Sequence, residues 1–170
     1  AGVLKRIDAS LIGGGGITVA DEWYVSSSFT LASTGTNTPI TANWTRNNNG
    51  HIGTNLTESS GVFTFPSTGI YLIRFQHSMY RNGDNRQAEI RIETSTDSGS
   101  SFGSKGSADA FIQQTSSNNT HISWNLELLQ DITNVSTNKV RFAVQHVSGS
   151  VTNYAGKGRI QAQFIRLGDT

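Results

Sequence analysis

Chemistry in this chain would have to come from its histidines, its acidic turns or its serines. The four histidines, His51, His77, His121 and His146, stand at no close ligand-type spacing. His77 and His146 both fall near the ends of extended runs, so they could meet on adjacent strands. A threefold axis could also gather three copies of one of them around a metal ion. The more ordinary use of such residues is a hydrogen-bonded place in the fold. Asp97-Ser98-Gly99 and Asn82-Gly83-Asp84 offer oxygens to Ca²⁺, but both are common turn sequences, and a hard cation needs six or more oxygens. The stretch from Gly99 to Ser107 has the composition of a phosphate loop without its Gly-Lys-Ser/Thr order, and strands rather than a helix follow it. No Ser–His–Asp set stands out among so many serines. With no cysteine in the chain, thiolate chemistry and disulfides are excluded. Glu89 and Glu93 share a strand face with arginines and read as solvated surface. The sequons at Asn43, Asn55, Asn118 and Asn134 would matter only in a glycosylating pathway. No catalytic, cofactor-binding or metal-binding residue is nominated, and the expectation is a protein that binds or builds rather than catalyses.

The elements that would position any site are strands. At 170 residues the chain is the size of one domain with a real core. Its formal charge of +1 gives no reason to expect nucleic acid or an anionic membrane as partner. No stretch reaches the apolar length of a transmembrane helix or of a signal sequence. Hydrophobic residues make up 35% and charged ones only 15%, so much of the surface must be Ser, Thr, Asn and Gly. The apolar residues nevertheless recur at strand period, which argues for a folded β protein.

Residues 1–21 read as an N-terminal arm, with Val3, Leu4, Ile7, Leu11 and Ile12 as its apolar residues and Gly13 to Gly16 as a hinge. A frayed tail and an arm that docks on another protein both fit this segment. Residues 22–170 read as a single β domain. Trp23, Val25, Ser27, Phe29 and Leu31 alternate with polar residues, and Ile40–Trp44 and Ile52–Thr57 are short runs. Asn82-Gly83 is a hairpin signal. Ala88, Ile90, Ile92 and Thr94 alternate with charged residues, and 95–107 reads as loop. Further strands are expected at Ala110–Gln114, His121–Leu129, Lys139–Val147 and Arg159–Leu167, with 148–157 a loop. Eight to ten strands at about this spacing suggest an antiparallel sandwich or jelly roll.

Gly61 to Phe75, GVFTFPSTGIYLIRF, is the most specific stretch. Two β-runs, Val62–Phe65 and Ile70–Phe75, flank a Pro66-Ser67-Thr68-Gly69 corner, where Pro66 lacks an N–H and Gly69 tolerates positive φ. This block resembles the signature of the C1q/TNF-like family, the matching positions being Phe63, Phe65, Gly69, Tyr71, Ile73 and Phe75. More weakly, Lys139–Val144 resembles the family's late central strand and Gly158–Gly168 its closing one. The collagen-like stalk and the cysteine of many animal members are missing. The resemblance implies a jelly roll that associates as a trimer and binds rather than catalyses.

Period two places Ile70, Leu72 and Tyr80 on one face of the second run and Tyr71, Ile73, Phe75 and Met79 on the other. A strand apolar on both faces is covered on both. The expected homotrimer interface therefore comprises Ile70, Leu72 and Tyr80, joined by Phe142, Val144, Phe164 and Ile165 from the neighbouring strands that the family pattern implies. The segments Ser27–Thr30, Asn43–Arg46 and Glu58–Pro66 are similar to C1q-like domains in virion proteins of tailed bacteriophages. That likeness implies a part assembled onto a virion surface, a head decoration or cement protein whose arm, residues 1–21, anchors on the major capsid or another virion protein. The alternative is a tail-fibre or receptor-binding knob whose loops contact host glycans.

Overall fold

The computed structural model describes residues 16–31 and 35–170, and these residues form strands and no helix. The thirteen strands are β1 (Ala20–Val25), β2 (Phe29–Leu31), β3 (Thr38–Pro39), β4 (Trp44–Arg46), β5 (Thr57–Ser59), β6 (Val62–Thr64), β7 (Gly69–Arg81), β8 (Asn85–Ser95), β9 (Gly103–Ile112), β10 (Thr120–Ile132), β11 (Lys139–His146), β12 (Val151–Asn153) and β13 (Gln161–Gly168). They build two antiparallel sheets packed face to face as a jelly-roll sandwich. The seven-stranded sheet is organised by β7. One edge of β7 pairs with β10 along its whole length, and the other pairs first with β13 and then with β12. Beyond β13 lie β1 and β4, and beyond β12 lies β2. The six-stranded sheet runs β5-β6-β11-β8-β9, with β3 also on β11.

The signature block accounts for much of this architecture. Ser60 and Gly61 both have positive φ, the requirement of a two-residue hairpin turn, and they set Ser59 opposite Val62. A Cβ on Gly61 would lie 2.2 Å from the Ile40 carbonyl oxygen, so the turn also needs the missing side chain for space. Phe63 then enters the core as its aromatic hub, with ring centroids 5.2–5.6 Å from Trp23, Trp44, Phe142 and Phe164. The chain crosses between the sheets at Pro66–Thr68. The buried Tyr71 ties that crossing down, donating its hydroxyl to the Ser67 carbonyl (3.1 Å) while its ring packs on Phe65 at 4.7 Å.

A buried carboxylate secures the β1/β4 edge of the core. Asp21 accepts from Trp23 Nε1 (3.1 Å) and the Leu56 amide (2.9 Å) and pairs with Arg46 at 3.2 Å. Arg46 lies over the Trp23 ring and donates to the Leu56 carbonyl. Asp21 and the buried Val19 belong to the folded domain, so the domain edge expected at residue 22 falls inside β1.

Several expectations about elements are corrected. Asn82-Gly83 makes no hairpin, because β7 and β8 lie in different sheets and residues 82–84 form a corner between them. Residues 103–107, read as loop, are the first half of β9. As an edge strand with a bulge opposite Ile92/Glu93, β9 carries polar residues where a central strand would carry apolar ones. β12 lies inside the stretch 148–157 that was read as loop. Glu93 is buried rather than solvated, accepting from Arg141 Nε (2.7 Å) and Asn37 Nδ2 (2.5 Å).

Candidate association surface

The outer face of the seven-stranded sheet combines breadth with apolar character. β7 alternates strictly at its first half, so Tyr71, Ile73 and Phe75 point into the sandwich while Ile70, Leu72 and Arg74 point out. Register extends this face sideways. Leu129 of β10 sits opposite Leu72, Leu72 opposite Ile165 of β13, and Ile165 opposite Ala20 of β1. The result is an apolar row across four strands. Leu129 is 62% exposed and Leu167, beside the irregularity at the end of β13, is 55% exposed.

The next row is polar and satisfied within the chain. Arg74 donates to Glu127 (2.6 Å), and Glu22 accepts from Gln163 (2.8 Å) and Asn47 (2.5 Å). A shallow depression between the two rows is lined by Leu72, Arg74, Glu127, Gln163 and Ile165. An amide row follows, with Asn125, Gln76 and Gln161 in register across β10, β7 and β13, ending at Tyr24 of β1. At the far end Tyr80, His121 and Tyr154 form an aromatic cluster with centroids 5.0–5.7 Å apart. The Arg159 guanidinium lies 3.5 Å from the Tyr154 ring centroid. The face grades from aliphatic to amide to aromatic and carries a single cross-strand ion pair among the described residues, Arg74–Glu127.

The seven residues expected at a trimer interface divide between the two sides of the sheets. Ile70, Leu72 and Ile165 lie together on this outer face and Tyr80 lies at its far end, each half-buried. Phe142, Val144 and Phe164 do not. All three are fully buried in the core of a single chain, with Phe142 stacked 4.6 Å from Phe75 and Phe164 packed on Phe63. For Phe164 the reason is strand alternation, since its neighbour Ile165 points out. Phe142 and Val144 lie on β11, which is not beside β7 but in the opposite sheet, facing the core. Leu129 was missed. Its signal was the Leu128-Leu129 pair, in which the second leucine breaks the inward phase of Ile122, Trp124, Leu126 and Leu128. The arm residues Val3, Leu4, Ile7, Leu11 and Ile12 lie outside the described residues.

The residues weighed for other chemistry are engaged in structure. Asp97 closes its own turn, accepting from Ser101 Oγ (2.6 Å), Ser95 Oγ (2.6 Å) and the Ser101 amide (3.0 Å). Those hydrogen bonds, Ser101's foremost, hold its pKa down at about 2. Asp84 accepts from the Gln114 amide. His77 and His146 do come together, but across the sandwich rather than on adjacent strands. Both point at Asn153 from the interior, where a threefold axis on the surface could not reach them.

No protein-family model matches the chain, and no curated protein sequence matches it. Solved structures do. The Eiger TNF of S. frugiperda superposes with a TM-score of 0.66 at 12% identity, covering 91% of this chain and 95% of that one. Murine APRIL superposes with a TM-score of 0.62 at 9% identity, covering 88% and 98%. At such identities the likeness concerns architecture, and the architecture is a TNF-like jelly roll.

Proposed function

We propose that this chain is a non-enzymatic structural protein of a bacteriophage virion, a homotrimer that decorates the head and is anchored through its N-terminal segment. The observation that carries the trimer is the row Leu129–Leu72–Ile165–Ala20 on an open sheet face. Aliphatics in register across four strands, Leu129 exposed and the others half-buried, leave apolar surface in water that a matching surface relieves. A second and third copy supply that surface with closed symmetry. The virion setting rests on the resemblance of residues 27–30, 43–46 and 58–66 to phage C1q-like domains. The alternative of a glycan-binding knob loses its main aromatic candidate, because Tyr154 is packed against Tyr80, His121 and Arg159 rather than presented at a loop tip.

The test has two arms. Light scattering should find a trimer that persists at micromolar concentration, and a stable monomer would overturn the oligomer. Removal of residues 1–15 should leave that trimer intact and abolish co-sedimentation with virions. Cutting as far as residue 21 would remove the buried Val19 and Asp21 and confuse attachment with folding. Retained virion binding by the truncated protein would overturn the anchoring role.

A further inference from the structure

The interior of the sandwich is crossed at one level by three polar side chains. On β7 the inward residues run Phe75, His77, Met79. On β11 His146 follows Val144, and on β12 Asn153 follows Val151. Asn153 Oδ1 lies 2.9 Å from His77 Nε2 and 3.1 Å from His146 Nε2. An amide oxygen only accepts, so both imidazoles donate through Nε2 and both are the neutral tautomer with a bare Nδ1. Each Nδ1 is buried without a hydrogen-bond partner. The Asn153 amide nitrogen in turn donates to the Phe29 carbonyl of β2. His146 belongs to the six-stranded sheet and His77 and Asn153 to the seven-stranded one, so this layer joins the two.

The layer is also a boundary. On one side lies the main core with Phe75 and Val144. On the other lies a separate small cluster of Met79, Ala88, Ile112 and Val151. Around the two rings, β7 offers Phe75 and Met79, β10 the edge of Trp124 at 5.1 Å, β8 Ala88 opposite His146, and β2 a carbonyl. Arg74 and Glu127 lie on the outer face of one sheet, and Glu89 and Arg91 on that of the other. The one titratable group acting on His77 is His146, and among the described residues no carboxylate contacts either ring.

We infer that His77, Asn153 and His146 form an acid-sensitive latch whose protonation releases β12, β2 and the 147–150 connection from the end of the sandwich. A second proton on either ring would place an unmatched N–H and a positive charge in an apolar interior, beside another imidazole and with no acid to receive it. Opening that end relieves both, so protons and opening are linked. Burial, the largest cause, pushes His77 down to about 3 and lowers His146 as well, in keeping with this arrangement. The latch sits inside one subunit and does not depend on the oligomer proposed above.

Hydrogen exchange by mass spectrometry on the full chain, with protection factors corrected for intrinsic exchange, tests the latch. Between pH 7 and pH 5, protection at 147–153 and 29–31 should fall about 25-fold from His77 alone and stay below that of 62–75 at both pH values, because the latch opens without global unfolding. Equal protection at both places at pH 5, or no loss at 147–153, would overturn the latch. Asn153→Asp supplies the missing counter-charge, so its protection at 147–153 should rise rather than fall over the same range. A wild-type-like fall in that variant would also overturn it. If the variant does not fold, the contrast between 147–153 and 62–75 in the wild type decides alone.

Discussion

Phe164 and Ile165 are adjacent on β13 and should respond to substitution in opposite ways. Phe164 is fully buried, with ring centroids 5.2 Å from Phe63, 6.0 Å from Phe142 and 6.1 Å from Phe65. Phe164→Ala removes a ring from a close-packed aromatic cluster and leaves a cavity, a loss of about 3–5 kcal/mol. With a urea slope of about 2 kcal/mol/M, the unfolding midpoint drops by roughly 2 M. Ile165 lies on the outer face beside Leu72, so in an isolated chain Ile165→Glu costs about 1 kcal/mol or less. In a trimer that buries this face, the same change places three unpaired carboxylates in the interfaces. At about 3–5 kcal/mol for each uncompensated buried charge, the sum is roughly 9–15 kcal/mol, at least a millionfold in the association constant. Light scattering at micromolar concentration should therefore report a folded monomer for Ile165→Glu and a destabilised trimer for Phe164→Ala. Urea midpoints taken over a range of protein concentrations complete the assay, since only the trimers should show concentration dependence. A trimeric Ile165→Glu would refute the choice of face. An Ile165→Glu chain as unstable as Phe164→Ala would refute the assignment of inward and outward residues.

The remaining expectations concern the scaffold. Gly61→Ala forces a Cβ onto the Ile40 carbonyl at a positive-φ position and should lower stability by about 1–3 kcal/mol in chemical denaturation. Asp21→Ala leaves Arg46 without its partner, with the Trp23 and Leu56 N–H groups unmet, and should cost about 3–5 kcal/mol by the same measurement. Global stability should also depend on acidity through His77, whose folded pKa of about 3 lies below its unfolded value near 6.5. The unfolded chain thus binds the extra proton first, and the contribution is complete above pH 6.5 and lost as pH falls towards 3. By pH 5 about 2 kcal/mol should be gone. A flat denaturation midpoint from pH 7 to pH 5 would contradict this.

What was legible in the sequence follows from where each strand sits. β7, at the centre of its sheet, alternates so regularly from Ile70 to Phe75 that both its core face and its outer face could be read from residue types. β10 was legible for the same reason, since Ile122, Trp124, Leu126 and Leu128 all turn inward. β9 was not, because an edge strand can be written in Gly, Ser and Lys without losing its pairing to β8. Asn82-Gly83 misled because a dipeptide states that the chain turns, whereas only long-range pairing decides whether it turns within a sheet or between two. The error at Phe142, Val144 and Phe164 was of another kind. Family likeness placed β13 beside β7 correctly, but β11, which carries Phe142 and Val144, lies in the six-stranded sheet, and on both strands these residues are in phase with the core.

Phase also accounts for how unequally the two outer faces are written. On the six-stranded sheet, Glu89 pairs with Arg91 and Glu93 with Arg141, and Arg141 further covers Phe102 at 4.1 Å. That surface pairs its central charges and covers Phe102, while Phe111 of the edge strand β9 is left 64% exposed. The seven-stranded sheet, built on the longer strands β7 and β10, instead carries aliphatic residues at its outward positions Ile70, Leu72, Leu129 and Ile165. Nothing about a sandwich core requires this, because outward residues do not touch the core. The nearest polar groups, Arg74, Glu127, Gln163 and Glu22, bond to one another or to Asn47 and so offer little to water beyond what they already hold. A surface with self-satisfied polar groups and unsatisfied apolar ones gains most from a neighbour that is also apolar and needs no new hydrogen bonds. A symmetry-related copy of the same face meets both conditions.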